Sequence, residues 1–245
     1  MRMKRAAFLA LVAGTLLSQA ALSQSAMAAD LGGAPRRGVK DEAPPYYAPV
    51  FSWTGVYIGA HVGYGWSDLD WQFADTPGIP TGHTGGGGLL GGQIGYNLQV
   101  NHFVFGIEAD MSSAWIDGST GCPGVGFSCS HSFNWLASVR GRAGAAVNGN
   151  RTLLYVTAGG AWADVDYAAR DIATGATFGS HSERHWGWVA GAGVEHMLTP
   201  NLTAKIEYLY YGFDTVTAPA GTLGGGPAAL DLSTQTVRFG LNLKF

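Results

Sequence analysis

Few residues in this chain sit at spacings that could do chemistry. The seven histidines are scattered. His181-Ser182-Glu183-Arg184-His185 could offer metal ligands, but it is not the His-Glu-x-x-His pattern that sets two imidazoles on one helix face. It reads as solvated loop. Asp68-x-Asp70 and Asp164-x-Asp166 could take divalent cations and read instead as solvated strand tops. Gly85-Gly86-Gly87-Gly88 lacks the helix N-terminus and the Lys of a phosphate loop. His131 and Ser132 are adjacent, so in a strand they point to opposite faces. No set of nucleophile, base and orienting group stands out. The expectation is no enzyme, no metal and no cofactor.

A different group of reactive side chains is more telling. Glu108, Asp110, Glu195 and Glu207 are balanced by Arg140, Arg142, Lys205 and Arg238. Each sits at an alternate position in a run whose other positions are apolar. If those runs are strands, all eight share one face. Enclosed together they must pair, because an unpaired buried charge is very costly. Arg140 and Arg142 would lie beside Glu108 and Asp110, and Arg238 beside Glu207.

The elements that position them follow from composition and period. The chain has 245 residues, 47% apolar and only 13% charged, against about 25% charged in a soluble domain. Such low charge with many aromatics excludes a disordered chain. The 38 glycines have no three-residue period, which excludes collagen. The formal net charge of −3 leaves no basic footprint for nucleic acid.

Arg2, Lys4 and Arg5, the short apolar run that follows, and Ala26-Met27-Ala28 form a secretory signal peptide over residues 1–28. Removing its three cations leaves 14 − 3 = 11 Lys+Arg against 17 Asp+Glu, a net of −6. Residues 29–50 carry four prolines among charged residues and read as a flexible periplasmic arm. Cys122 and Cys129 are the only cysteines. Two thiols are too few for a closed zinc site, and in an exported chain they are expected to form a local disulfide. Non-reducing mass spectrometry should find the two peptides linked. Two alkylatable thiols in the native protein would refute the bond.

From Trp53 to Phe245 the texture is alternation at period two, in eight runs. Val56, Ile58, Ala60, Val62, Tyr64 and Trp66 alternate with Tyr57, Gly59, His61, Gly63 and Gly65. That is strand, not helix. Connections alternate strictly between tight turns (Val100-Asn101-His102, Asn148-Gly149-Asn150, Thr199-Pro200-Asn201) and long loops. The loops are placed at about Ser67 to Gly85, Asp117 to Ser130, Tyr167 to Glu183 and Asp214 to Ser233. Strands of about ten residues tilted by ~40° match the ~25 Å apolar band of a membrane barrel. The polar face is rich in Gly, Ser, Thr, Gln and Asn, too uncharged to face water. Trp66, Phe103, Trp115, Trp135, Trp162, Trp186 and Phe245 lie near the ends of apolar faces, as girdle residues do. Lipid tolerates no open sheet edge, so the sheet must close. The fold class is therefore all-β: an eight-stranded antiparallel up-and-down transmembrane β-barrel over residues 51–245. A barrel of eight strands is just wide enough for its own side chains to fill it.

These runs also carry a resemblance. Phe51-Ser52-Trp53-Thr54-Gly55-Val56-Tyr57-Ile58-Gly59, Gly91-Gly92-Gln93-Ile94-Gly95-Tyr96-Asn97 and Gly106-Ile107-Glu108-Ala109-Asp110 resemble the first three strands of the Omp25/Omp31-type (RopB-like) outer-membrane family of alphaproteobacteria. Val139-Arg140-Gly141-Arg142-Ala143-Gly144, Gly191-Ala192-Gly193-Val194-Glu195, Ile206-Glu207-Tyr208-Leu209-Tyr210 and Val237-Arg238-Phe239-Gly240-Leu241-Asn242 extend the likeness to the terminal Phe245. The resemblance implies a barrel of OmpA/OmpX-like size in the cell outer membrane. Some of its members are described as porins and others as structural or host-interaction proteins. The expected role is a non-enzymatic barrel that supports envelope integrity and presents surface loops. A small diffusion channel is the alternative, and a barrel enzyme acting on lipid or peptide a weaker one. Outer-membrane lipids, lipopolysaccharide and the outer-membrane insertion machinery are the expected partners, the last through Phe245.

Overall fold

The computed structural model describes residues 51–73, 81–121, 127–218 and 228–245. All lie within one compact unit, Ala48–Phe245. The expected signal peptide and arm at 1–50 fall outside the described residues, as does Cys122.

Ten strands make eight staves. They are β1 (Gly55–Phe73), β2 (Thr81–Val100), β3 (Phe103–Ala114), β4 (Asp117–Gly121), β5 (Phe127–Val147), β6 (Thr152–Asp171), β7 (Thr177–Met197), β8 (Leu202–Phe213), β9 (Val216–Ala218) and β10 (Ala228–Lys244). β4 continues β3 past Trp115-Ile116, where Trp115 N donates to Gly88 O at 2.9 Å and Phe133 N to Ile116 O at 3.1 Å. β9 continues β8 in the same way, with Asp214 N donating to Trp186 O at 2.9 Å. Every ladder is antiparallel, and β1 pairs with both β2 and β10, so the sheet closes on itself. The tight turns have the backbone their residues suggest: Asn148, Gly149 and Asn150 all take positive φ, at 53°, 64° and 64°.

The period-two pattern sets the faces. On β1, Val56, Ile58, Val62 and Tyr64 are exposed on the outer wall, while Tyr57 and His61 are buried inside. The outer wall is apolar up to a belt of aromatic residues. Trp162 and Trp186 meet edge to face at 5.5 Å between ring centres. Trp188 and Tyr210 lie 5.5 Å apart.

The long loops of the sequence reading need correction. β1 and β2 stay paired from Ser67↔Gly85 to Trp71↔Thr81, and β10 stays paired with β1 to Phe73↔Ala228. β6 runs to Asp171 and β7 starts at Thr177. Most of the first three expected loops and part of the fourth are therefore strand, and β5, β6 and β7 are 20 or 21 residues long rather than about ten. The physical reason lies in the surroundings. Beyond the belt the outer wall meets water, so Asp68, Asp70, Asn134 and Arg184 are exposed there. Inward positions turn apolar in compensation: Leu69, Ile116, Phe133, Leu136, Val165 and Tyr167 pack as one buried cluster. The barrel obeys the membrane rule below the belt and the soluble-barrel rule above it. At the β6–β7 turn, Asp171 Oδ1 accepts from Ala173 N and Thr174 N, both at 2.8 Å. The Thr174 N–H leads the bonds that hold its carboxyl below the usual carboxylate range.

Candidate functional site: the barrel lumen

The eight charged residues singled out in the sequence converge in the lumen from β3, β5, β7, β8 and β10, and all are buried. Glu108 is the hub. Its Oε1 accepts from Arg140 Nη2 at 2.6 Å and Lys205 Nζ at 2.9 Å. Its Oε2 accepts from Tyr57 OH at 2.8 Å, Lys205 Nζ at 2.9 Å and Arg142 Nη1 at 3.3 Å. Arg142 Nη2 reaches Glu195 at 2.6 Å. Arg140 also lies 3.2 Å from Asp110 and 3.1 Å from Glu207.

One expected pairing is different. Arg238 and Glu207 are neighbours in register, but Arg238 Nη1 crosses to Asp110 Oδ1 at 2.6 Å. Glu207 turns to Arg140 and, at 4.0 Å, to Lys205. In so narrow a lumen a long guanidinium reaches the opposite wall as easily as the adjacent strand.

Uncharged groups complete the network. Asn242 Nδ2 donates to Glu195 Oε1 at 2.7 Å, and Gln93 Nε2 donates to Asn242 Oδ1 at 2.7 Å. Tyr155 OH donates to Glu207 at 3.0 Å, and Arg238 Nη2 donates to Tyr211 OH at 2.6 Å. The guanidinium of Arg142 lies 4.0 Å from the Tyr155 ring centre, a cation–π contact. Glycine makes room for the two lower tyrosines. A Cβ on Gly95 would stand 2.3 Å from Tyr57 OH, and one on Gly193 would stand 2.5 Å from Tyr155 OH.

Apolar layers lie on both sides of the charges. Above is the buried cluster around Ile116 and Phe133. Below, Trp53 turns into the mouth of the barrel at the tight-turn end and is 1% exposed. It packs with Val104, Ala146, Leu153, Tyr155 and Met197. Its Nε1 donates to Asn150 O at 2.9 Å, and its N donates to Gln99 Oε1 at 2.8 Å. Reading the sequence placed Trp53 only at the start of the alternation. Its signal as a stopper was its position just before β1, where an aromatic can fold under the rim.

The other singled-out residues lie elsewhere. Cys129 sits on β5 opposite Thr120 and Ala169. Phe245 is 71% exposed, and its N donates to Val56 O at 2.9 Å. Deleting Phe245 should lower the amount of barrel inserted in cells, with normal in vitro folding. Unchanged cellular insertion would reduce it to a girdle aromatic. Gly85 to Gly88 are part of β2. Asp166 accepts from Asn134 Nδ2 at 2.9 Å and from Ser182 Oγ. Ser67 Oγ lies 2.9 Å from His131 Nε2, and His61 Nε2 lies 2.8 Å from Ser112 Oγ. All four are buried. Among the described residues no group of three or more His, Cys, Asp and Glu is placed to hold a metal ion.

Known proteins agree with this architecture. The outer membrane protein beta-barrel domain matches residues 43–245. The 31 kDa outer-membrane immunogenic protein of Brucella melitensis biotype 1 is 32% identical over 243 residues, covering 92% of this chain and 96% of that one. The 22 kDa outer membrane protein of Rhizobium leguminosarum bv. viciae is 32% identical over 206 residues, covering 83% and 82%. Among solved structures, OprG of Pseudomonas aeruginosa is similar with a TM-score of 0.49 at 12% identity, over 80% of this chain and 99% of that one. A closed strand barrel with an apolar outer wall, matched over this much of its length, places the chain in the outer membrane as a member of the outer-membrane β-barrel family, of the Omp25/Omp31 type.

Proposed function

We propose that the protein is a closed, non-enzymatic barrel that supports the outer envelope and presents its extended strand tops outside. The observation that supports this reading is the filled lumen. A solute crossing it would meet the Ile116–Phe133 cluster, then eight buried paired charges, then Trp53. Its working surfaces are then the outer wall, which meets outer-membrane lipids and lipopolysaccharide, and the water-facing strand tops. The insertion machinery is its partner during assembly.

Planar-bilayer recording on the refolded protein tests this. The expected trace is closed, without steady unitary openings. A steady large conductance would overturn the reading in favour of a small diffusion channel.

A further inference from the structure

Two recesses on the outer wall lie one above the other on the same strands. The lower is an apolar groove of about 500 Å³ within the hydrocarbon band. Gly92, Ala109 and Ala137 are its small lining residues, and Ile94, Met111 and Trp162 are among its larger ones. Steric need does not explain the glycine. A Cβ on Gly92 would meet nothing nearer than Gly59 O at 3.5 Å, an ordinary contact. The position could carry a side chain, and its absence deepens the groove.

The upper recess is a polar groove of about 610 Å³ beyond the aromatic belt. Asp117, Ser119, Ser130, Ser132, Asp166 and Arg170 are among its lining residues. The register stacks the two. Ala137 pairs with Met111 and Trp162 at the top of the lower groove. Trp135 then pairs with Ser113 and Asp164 in the belt. Ser132 pairs with Asp117 and Asp166 at the foot of the upper groove.

An apolar slot below a belt and a polar slot above it fit one kind of molecule, an amphiphile lying along the wall. The polar slot selects the headgroup. Its carboxylates and hydroxyls match the donors and acceptors of a sugar. Asp117 and Asp166 outnumber Arg170 in this groove and so disfavour an anionic phosphate, because like charges at close range repel. We infer that the paired recesses bind a glycolipid, with an acyl chain in the lower groove and its sugar in the upper. This deepens the lipid contact in the proposed function and takes from it only the membrane setting.

The test uses the full-length mature protein in an amine-oxide detergent, which carries no sugar to compete. Glucosyl diacylglycerol and phosphatidylglycerol with the same acyl chains are offered separately, and bound lipid is counted by native mass spectrometry. The parent should retain one glucolipid per barrel, about tenfold better than phosphatidylglycerol. Gly92→Leu and Ala137→Leu should each lower retention of both lipids. Asp117→Lys should move the preference toward phosphatidylglycerol. Ala204→Leu, outside the groove on β8, should behave as the parent. Equal retention of the two lipids by the parent would overturn the site, as would retention unchanged in both leucine variants. If the leucine variants fail to fold, Asp117→Lys in the water-facing groove still decides: an unchanged preference overturns the site. Conductance does not enter this readout, so failure of the closed-lumen reading and failure of the site are separately visible.

Discussion

Glu108→Gln should lower the stability of the barrel by about 3–5 kcal/mol, the range for breaking a buried ion pair from one side. Glu108 receives Arg140, Arg142, Lys205 and Tyr57 at 2.6–3.3 Å. Among the described residues the lumen holds four acids and four bases, so it is neutral by count. Glutamine keeps the shape and leaves the count at three against four among buried side chains. Arg140→Ala should destabilise comparably by leaving Glu108, Asp110 and Glu207 short of a cation. Arg170→Ala, on the exposed outer wall, should stay within about 0.5 kcal/mol. Urea unfolding in lipid vesicles measures all three. Adding Lys205→Met to Glu108→Gln restores the balance of charge. The double variant should therefore lose less than the sum of the singles, by about 0.5–3 kcal/mol of coupling. Additive losses would mean that the charges act separately and not as one network.

The residues of this network could be found from sequence because a strand has a period of two. Once Val139 faces out, Arg140 must face in, and a lumen of eight strands leaves an arginine nowhere to go but toward an acid. The partners were less legible than the members. Register puts Glu207 beside Arg238, but side-chain length lets Arg238 reach Asp110 on the far wall. Strand neighbours bound which charges can meet and do not select among them.

The upper half of the barrel was misread for a related reason. Asp68-Leu69-Asp70 still alternates, but its apolar member now faces in. On β6 the outward sequence passes from Leu154 and Val156 through Trp162 to Asp164 and Asp166 without a change of phase. A reading that equates the apolar face with lipid loses the strand where lipid ends. The mark of the crossing was the tryptophan itself, a residue that favours the interface, followed by carboxylates at the same parity. The expected Cys122–Cys129 disulfide has one partner, Cys122, outside the described residues.

Trp53→Ala should cost about 3–5 kcal/mol, the usual range for emptying a buried aromatic site. The indole is held by its hydrogen bond to Asn150 O and by five side chains drawn from β3, β5, β6 and β7, and the Trp53 backbone N adds a bond to Gln99 Oε1. Those strands belong to the barrel wall, so the residue ties the segment before β1 to much of its circumference. Trp53→Phe keeps most of the packing and loses the bond to Asn150 O. It should cost far less, about 1 kcal/mol from the bond plus a small packing loss. Phe105→Ala, a similar truncation on the exposed outer wall, should cost less than Trp53→Ala because lipid can fill the gap. The paired readout is unfolding and conductance. Trp53→Ala removes only the lower stopper, and the charge layer and the Ile116–Phe133 cluster remain above it. A weakened barrel that still carries no current is therefore the expected result. Steady current in Trp53→Ala, from a parent that is closed, would mean that the indole is the seal and the layers above it are already permeable. A barrel of unchanged stability would mean that Trp53 merely rests in the mouth and contributes no net anchoring.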